Sequence, residues 1–171
     1  TILFLMLTNL ATGTIITMTS THWLLAWVGL ELNTLSIIPI ITKHHHPRST
    51  EATTKYFLTQ AAASATLLFA STLNAWYTGT WDISQLTHQV ACIMFTLAVS
   101  MKLGLAPLHF WLPEVLQGTT MNTALIIATW QKLAPMTLMF LTYNSLDPKI
   151  LMTMGLLSAL IGGWGGLNQT Q

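Results

Sequence analysis

The stretch Met101–Gly118, MKLGLAPLHFWLPEVLQG, decides how this chain is read. It sits at the end of a mostly apolar run that starts at Val90, and it carries Lys102, Gly104, Pro107, His109, Pro113 and Glu114. Pro107 has no N–H to offer the carbonyl of Leu103, Pro113 has none for the carbonyl of His109, and Gly104 loosens the turn before them. A helix entering this stretch must break near residues 104–107. In lipid, freed carbonyls are tolerated only against protein or beside a water-filled cavity, so a break here marks a polar interior.

Composition makes lipid the natural solvent. Of 171 residues, 6% are charged and 52% hydrophobic, too little polar surface to coat a water-soluble body of that size. Thr, Ser and Asn interrupt the apolar runs, but their side chains can bond back to carbonyls of their own helix. The net charge of +1, with no basic stripe, removes the main electrostatic route to nucleic acid. A single cysteine, Cys92, makes neither a disulfide framework nor a thiolate metal site and reads as a small buried residue. The chain starts at Thr1 inside an apolar run and stops at Gln171 without a terminal tail, so it is expected to be the interior of a longer polypeptide.

Outward from the decisive stretch, six runs approach the roughly 20 apolar residues that a spanning helix needs. They are residues 2–18, 23–42, 56–77, 90–116 with its break, 121–142 and 150–167. The expected fold is all-α, a single polytopic transmembrane helix bundle with a discontinuous helix. Trp23, Tyr56, Trp76, Tyr77 and Trp81 are expected at the headgroup layer, where amphipathic rings concentrate. Asp147 and Pro148 form a cap and first helical position for the last run, and Gly162 and Gly166, one turn apart in GGWGG, suit a close helix neighbour. The loop KHHHPRSTEATTK, Lys43–Lys55, holds three of the six Lys and Arg residues, whereas YTGTWDISQLTHQ, Tyr77–Gln89, holds none. The cationic loop is therefore expected on the cytoplasmic or matrix side, with Asp82 and Asp147 opposite.

Three ionisable residues fall within spans rather than at their ends. Glu31 lies roughly 12 Å beyond Trp23 and Lys132 roughly 16 Å beyond Met121 at the helical rise per residue; Lys102 precedes the break. A charge at that depth costs on the order of 2.5 to 3.5 kcal/mol on the insertion scale, so each must face the bundle interior. Pro135, which frees the carbonyl of Gln131, and Pro39, which frees that of Leu35, predict a disrupted helix beside Lys132 and Glu31 as well. A desolvated lysine can release its proton near neutral pH and an arginine cannot, so buried lysines on broken helices suit a proton relay. His109, inside the break, suits a shuttle or a hydrogen-bonded structural role. Glu114 reads as an interfacial carboxylate. His44, His45 and His46 are adjacent on a loop and cannot easily close on one metal ion. No dinucleotide loop, cysteine cluster or facing histidine pair points to redox chemistry within the chain. Two other readings remain open on these residues alone: a scaffold held by buried ion pairs, and a free-standing Na⁺ or K⁺ antiporter.

Several stretches together resemble one family. KLGLAPLHFWLPE (Lys102–Glu114) is similar to the antiporter-like membrane subunits of respiratory NADH:ubiquinone oxidoreductase, complex I, and to cation/proton antiporter subunits. STHWLLAWVGLELNTLSIIP (Ser20–Pro39), HHHPRSTEATTKYFLTQA (His44–Ala61), TWQKLAP (Thr129–Pro135) and GGWGGLNQTQ (Gly162–Gln171) narrow the resemblance to a branch encoded in vertebrate mitochondrial DNA. The resemblance implies a core subunit of the inner-membrane arm, with other membrane-arm subunits and the bilayer as partners. It implies proton translocation driven by quinone reduction elsewhere, with NADH, FMN, iron–sulfur clusters and ubiquinone held by partner subunits and no cofactor bound here. It implies that Glu31 corresponds to the family's midplane glutamate, Lys102 to the lysine of its broken helix and Lys132 to the lysine of the next helix. The family's later lysine and second broken helix are expected beyond Gln171.

Overall fold

The computed structural model describes residues 1–170, and its helices follow from local signals. Helix α1 spans Ile2–Thr19 and α2 spans Trp23–Ile41. The His46 ring nitrogen accepts the Arg48 N–H at 3.2 Å, Pro47 takes the first helical position, and α3 runs from Pro47 to Thr78 before Gly79 turns left-handed at φ 73°. Helix α4, Gln89–Leu103, is capped by His88 and ends at Gly104, also left-handed at φ 75°, a conformation that favours glycine. Residues 104–110 connect it to the short α5, Trp111–Gln117, through a cis Ala106–Pro107 peptide. Helix α6, Met121–Thr129, passes through a 3₁₀ turn, Trp130–Lys132, into α7, Leu133–Leu141. Helix α8, Pro148–Leu167, starts on Asp147, whose carboxylate accepts the Lys149 N–H at 3.0 Å.

Four segments are long and apolar enough to cross a membrane: Ile2–Thr19, Trp23–His44, Met121–Leu141 and Pro148–Leu167. The molecule is an all-α, multi-pass membrane bundle with an interrupted helix. The hydroxyls inside its helices bond back to the preceding turn, as with Thr34 to Glu31 O at 2.8 Å and Ser36 to Leu32 O at 2.6 Å. The connections gather at two ends. Thr21–Trp23 pairs with Trp81–Ile83 through two backbone hydrogen bonds of 3.0 Å, so Asp82 lies at the end where α1 meets α2. Lys43 and Arg48 lie at the opposite end of α2 and α3. Helices α1 and α2 touch backbone to backbone, since a Cβ on Gly13 would stand 3.0 Å from the Gly29 carbonyl oxygen and one on Gly29 would stand 2.9 Å from that of Gly13.

Several expectations need correction. Helix α3 begins at Pro47, not at Tyr56, because the His46–Pro47 cap and a Glu51–Lys55 ion pair one turn apart hold polar turns helical. The break after α4 extends to residue 110. The run 121–142 is disrupted at Trp130–Lys132, beside Lys132 as expected, and Pro135, which has no N–H for the Gln131 carbonyl, stands in the first turn of α7. Helix α2 runs unbroken through Pro39; the proline lies near its last residue, where little ladder follows. Of the aromatics expected at the headgroup layer, Trp23 and Tyr56 are covered by protein at 1% exposure, while Trp76 and Tyr77 are exposed. Gly162 and Gly166 face open space, with nothing among the described residues within 4 Å of where a Cβ would stand, so the expected close neighbour is not among those residues.

Candidate functional site

Two apolar clusters organise the interior, and the charges lie between them. One cluster, toward the Asp82 end, contains Leu30 of α2, Leu67 of α3, Val99 of α4 and Ala134 of α7. The other, toward the Lys43 end, contains Ile37 of α2, Tyr56 of α3, Trp111 of α5 and Ile127 of α6. On each of these four lines of chain, polar residues occupy the gap: Glu31, Asn33 and Thr34; Gln60 and Ser64; Ser100 and Lys102; Gln131 and Lys132. The result is a polar layer across the middle of an apolar bundle. Charged and amide groups in such a layer are held away from lipid, which is the condition for their being there at all.

Lys102 occupies the last turn of α4 and is 5% exposed, and its Nζ is enclosed with no hydrogen-bond partner. It lines a cavity of ≈ 10 Å³ with Asn33, Thr34, Tyr56, Gln60 and Gln131, about the space of one water centre. Asn33 is 2% exposed, and both polar atoms of its side chain are likewise enclosed without partners. One carboxylate oxygen of Glu31 is in the same condition. Gln131 ties the layer together by donating its amide N–H to the Asn33 carbonyl at 3.4 Å.

Lys132 is held differently. Its Nζ donates to the carbonyl of Leu103, which the helix break leaves without an intrahelical donor. The C-terminal end of α4 is the negative end of a helix dipole, so an ammonium is favoured there. The ammonium also lies over the Trp111 ring, 5.6 Å from its centroid, and a Cβ on Gly104 would come within 3.5 Å of Nζ. Thus the break that brings α4 to an end also creates the seat for the lysine of the next crossing.

The structure gathers Glu31, Lys102 and Lys132 into one layer but joins them by no direct ion pair. Among the described residues the ion pairs are Lys55–Glu51 and Lys55–Glu114, each 2.8 Å, at the Lys43 end. His109 is set apart from the Lys102 cavity. Its ring stacks on Phe110 at 4.5 Å and it lines a groove of ≈ 580 Å³ with Glu114, Gly162 and Gly166; its Nδ1 is enclosed without a partner. Sequence reasoning missed Asn33, Gln60, Gln131 and Trp111. The first three carried a signal, being amides inside apolar runs, whereas Trp111 was indistinguishable from a packing aromatic. No group of three His, Cys, Asp or Glu side chains converges as metal ligands among the described residues. The buried Cys92 stands alone, so these residues do not fit an iron–sulfur cluster.

The all-α membrane bundle with an interrupted helix belongs to a class that comparison with known proteins identifies. Residues 20–171 match the family model described as NADH:quinone oxidoreductase/Mrp antiporter, transmembrane, and the chain belongs to that family. Among its relatives, NADH-ubiquinone oxidoreductase chain 2 of Oncorhynchus mykiss is 60% identical over 170 residues, covering 99% of this chain and 49% of the relative. The chain of the same name from Xenopus laevis is 61% identical over 165 residues, 96% of this chain and 48% of the relative. The chain therefore spans about half the length of the curated relatives it matches. A chain of respiratory complex I from Thermus thermophilus, solved with bound aureothin, superposes with a TM-score of 0.91 at 28% identity, over 98% of this chain and 40% of that one. A chain of the archaeal membrane-bound sulfane sulfur reductase shares the fold, with a TM-score of 0.69 at 17% identity over 82% of this chain and 32% of that one.

Proposed function

We propose that this chain is the part of complex I subunit 2 that takes up and holds protons at the midplane of the mitochondrial inner membrane. In this reading Glu31 sets the charge around Lys102, Lys102 carries a proton in the polar layer, and Lys132 passes it on toward the rest of the polypeptide. Electron transfer from NADH through FMN and iron–sulfur clusters to ubiquinone belongs to partner subunits of the membrane-bound complex. No redox step occurs within this chain. His109 belongs to the reading as a shuttle at the groove beside α5, where its ring nitrogen is near the cationic end rather than in the Lys102 cavity. Gly104, Pro107 and Pro135 serve it by freeing or ending the helices on which the lysines sit. The observation that carries the proposal is the enclosed, unpartnered ammonium of Lys102 beside a polar cavity: a lysine kept for packing would be paired, because an unpaired buried charge is costly.

The test is Lys102→Met in a complete, genetically tractable complex, with assembly, NADH:quinone turnover and proton uptake into sealed vesicles measured together. The expected outcome is an assembled complex in which turnover and uptake collapse together. Both persisting at wild-type levels would leave Lys102 as scaffold and sink the relay.

A further inference from the structure

We infer that Trp111 is a positioning residue for Lys132, and that it acts through the charge-bearing face of its ring. The inference rests on the reading of Lys132 as a proton carrier and extends it to a residue outside the charged set. Three contacts converge on this indole. Its Nε1 donates to the carbonyl of Met101 at 2.9 Å, satisfying one of the acceptors at the end of α4. Its ring lies beneath the Lys132 ammonium at 5.6 Å. Its other neighbour is the Tyr56 ring, edge on at 5.9 Å, and Tyr56 lines the Lys102 cavity.

These contacts divide the labour at the break. Met101 O is capped by the indole N–H and by the Gly104 N–H, while Leu103 O is left for Lys132. Without the indole donor, Met101 O would keep only the 3.3 Å bond from the Gly104 N–H, and the ring would lose the tie that holds it under the ammonium. The π face meanwhile favours the charged form of the amine in a place with no carboxylate paired to it, and such an attraction is strongest when the cation is desolvated. Trp111 is 7% exposed, so water does not substitute for the ring. An aromatic kept for apolar packing alone would need neither its N–H aimed at a helix end nor an ammonium over its face.

The test uses the full-length polypeptide in its assembled membrane complex. Replacing Trp111 with a series of increasingly fluorinated tryptophans keeps shape and N–H while draining negative charge from the ring face. The expected result is proton uptake that falls step by step with fluorination, reaching about tenfold at the end of the series. Trp111→Phe, which keeps a ring face, should retain more uptake than Trp111→Leu, which has none. Uptake that ignores fluorination would overturn the inference, and so would equal losses in Trp111→Phe and Trp111→Leu. If the two apolar variants fail to assemble, the fluorinated series still decides, because it leaves the packing unchanged. Lys132→Met separates the role of Lys132 from that of Trp111. Normal uptake in that variant removes Lys132 from the relay altogether, whereas its collapse alongside a flat fluorination series removes only the role of Trp111.

Discussion

Gly104 shows how much depends on one missing methyl group. It ends α4 in a left-handed conformation at φ 75° and leaves the approach to Lys132 open. An alanine there meets Leu112 at 3.4 Å and the Lys132 amine at 3.5 Å, ordinary contacts. The penalty is therefore conformational, roughly 1 to 2 kcal/mol for a side chain held left-handed. Gly104→Ala is expected to lower the thermal midpoint of the complex's membrane arm in detergent while leaving it able to assemble; an unchanged midpoint would mean that the turn relaxes to another conformation. At this scale the charges were legible in advance, because the cost of burying Glu31, Lys102 and Lys132 in lipid singles them out whatever the fold. Their partners were not. Lys132 with Leu103 O, and Gln131 with Asn33 O, are contacts between crossings, and neither spacing nor composition encodes which carbonyl a distant side chain will reach. That Tyr56 packs on Trp111 was hidden for a related reason: an aromatic at the start of an apolar run looks the same whether or not another helix covers it.

Among the elements, α5 is the least self-sufficient. Seven residues make too few internal bonds to hold a helix, so it is tied to α3. Tyr56 packs on Trp111, a Cβ on Gly118 would stand 2.8 Å from Arg48 O, and Lys55 bridges Glu51 and Glu114. The charged part of this tie is exposed and screened, so its stabilising effect is small and salt-dependent. Its pH behaviour has a definite sign. The hydrogen bonds that Lys55 donates to Glu114 and then to Glu51 hold it above the ordinary lysine value of 10.5, and the one Glu51 accepts holds that carboxyl below the ordinary 4.5. The lysine contribution is fully present below 10.5 and fades as pH rises through its raised value; the Glu51 contribution is fully present above 4.5 and fades as pH falls through its lowered value. Lys55→Gln should thus cause a small loss of stability that is constant between those limits and vanishes in high salt. A difference between variant and parent that grew between pH 6 and 8, on the order of the usual histidine range, would show that a histidine and not this trio governs the tie. The helix break itself was readable from Gly104, Pro107 and Pro113. The 3₁₀ turn at Trp130–Lys132 was signalled by Pro135, which has no N–H for the Gln131 carbonyl; that the turn seats Gln131 against α2 and Lys132 against the end of α4 was not.

For the whole molecule, the partition into two apolar clusters with polar groups between them was legible only in outline. Sequence placed the three charges near the middle of their spans; that Leu30, Leu67, Val99 and Ala134 close one side of them, and Ile37, Tyr56, Trp111 and Ile127 the other, is a property of assembled helices. Each cluster is an electrical insulator as much as a core. A membrane protein that stores protons at its centre must keep that store from short-circuiting to either bulk phase, and dry, close-packed side chains are the means. Val99, 0% exposed in the cluster nearer Asp82, is a place to breach it: Val99→Asn is close in size yet brings a donor and an acceptor that call for water. Vesicles carrying this variant should still oxidise NADH, but should hold a smaller pH gradient and lose an imposed one faster than the parent. Equal decay rates would put the barrier elsewhere. In the proposed reading, the same walls that make the bundle stable also set how much of a proton gradient survives between one transfer and the next.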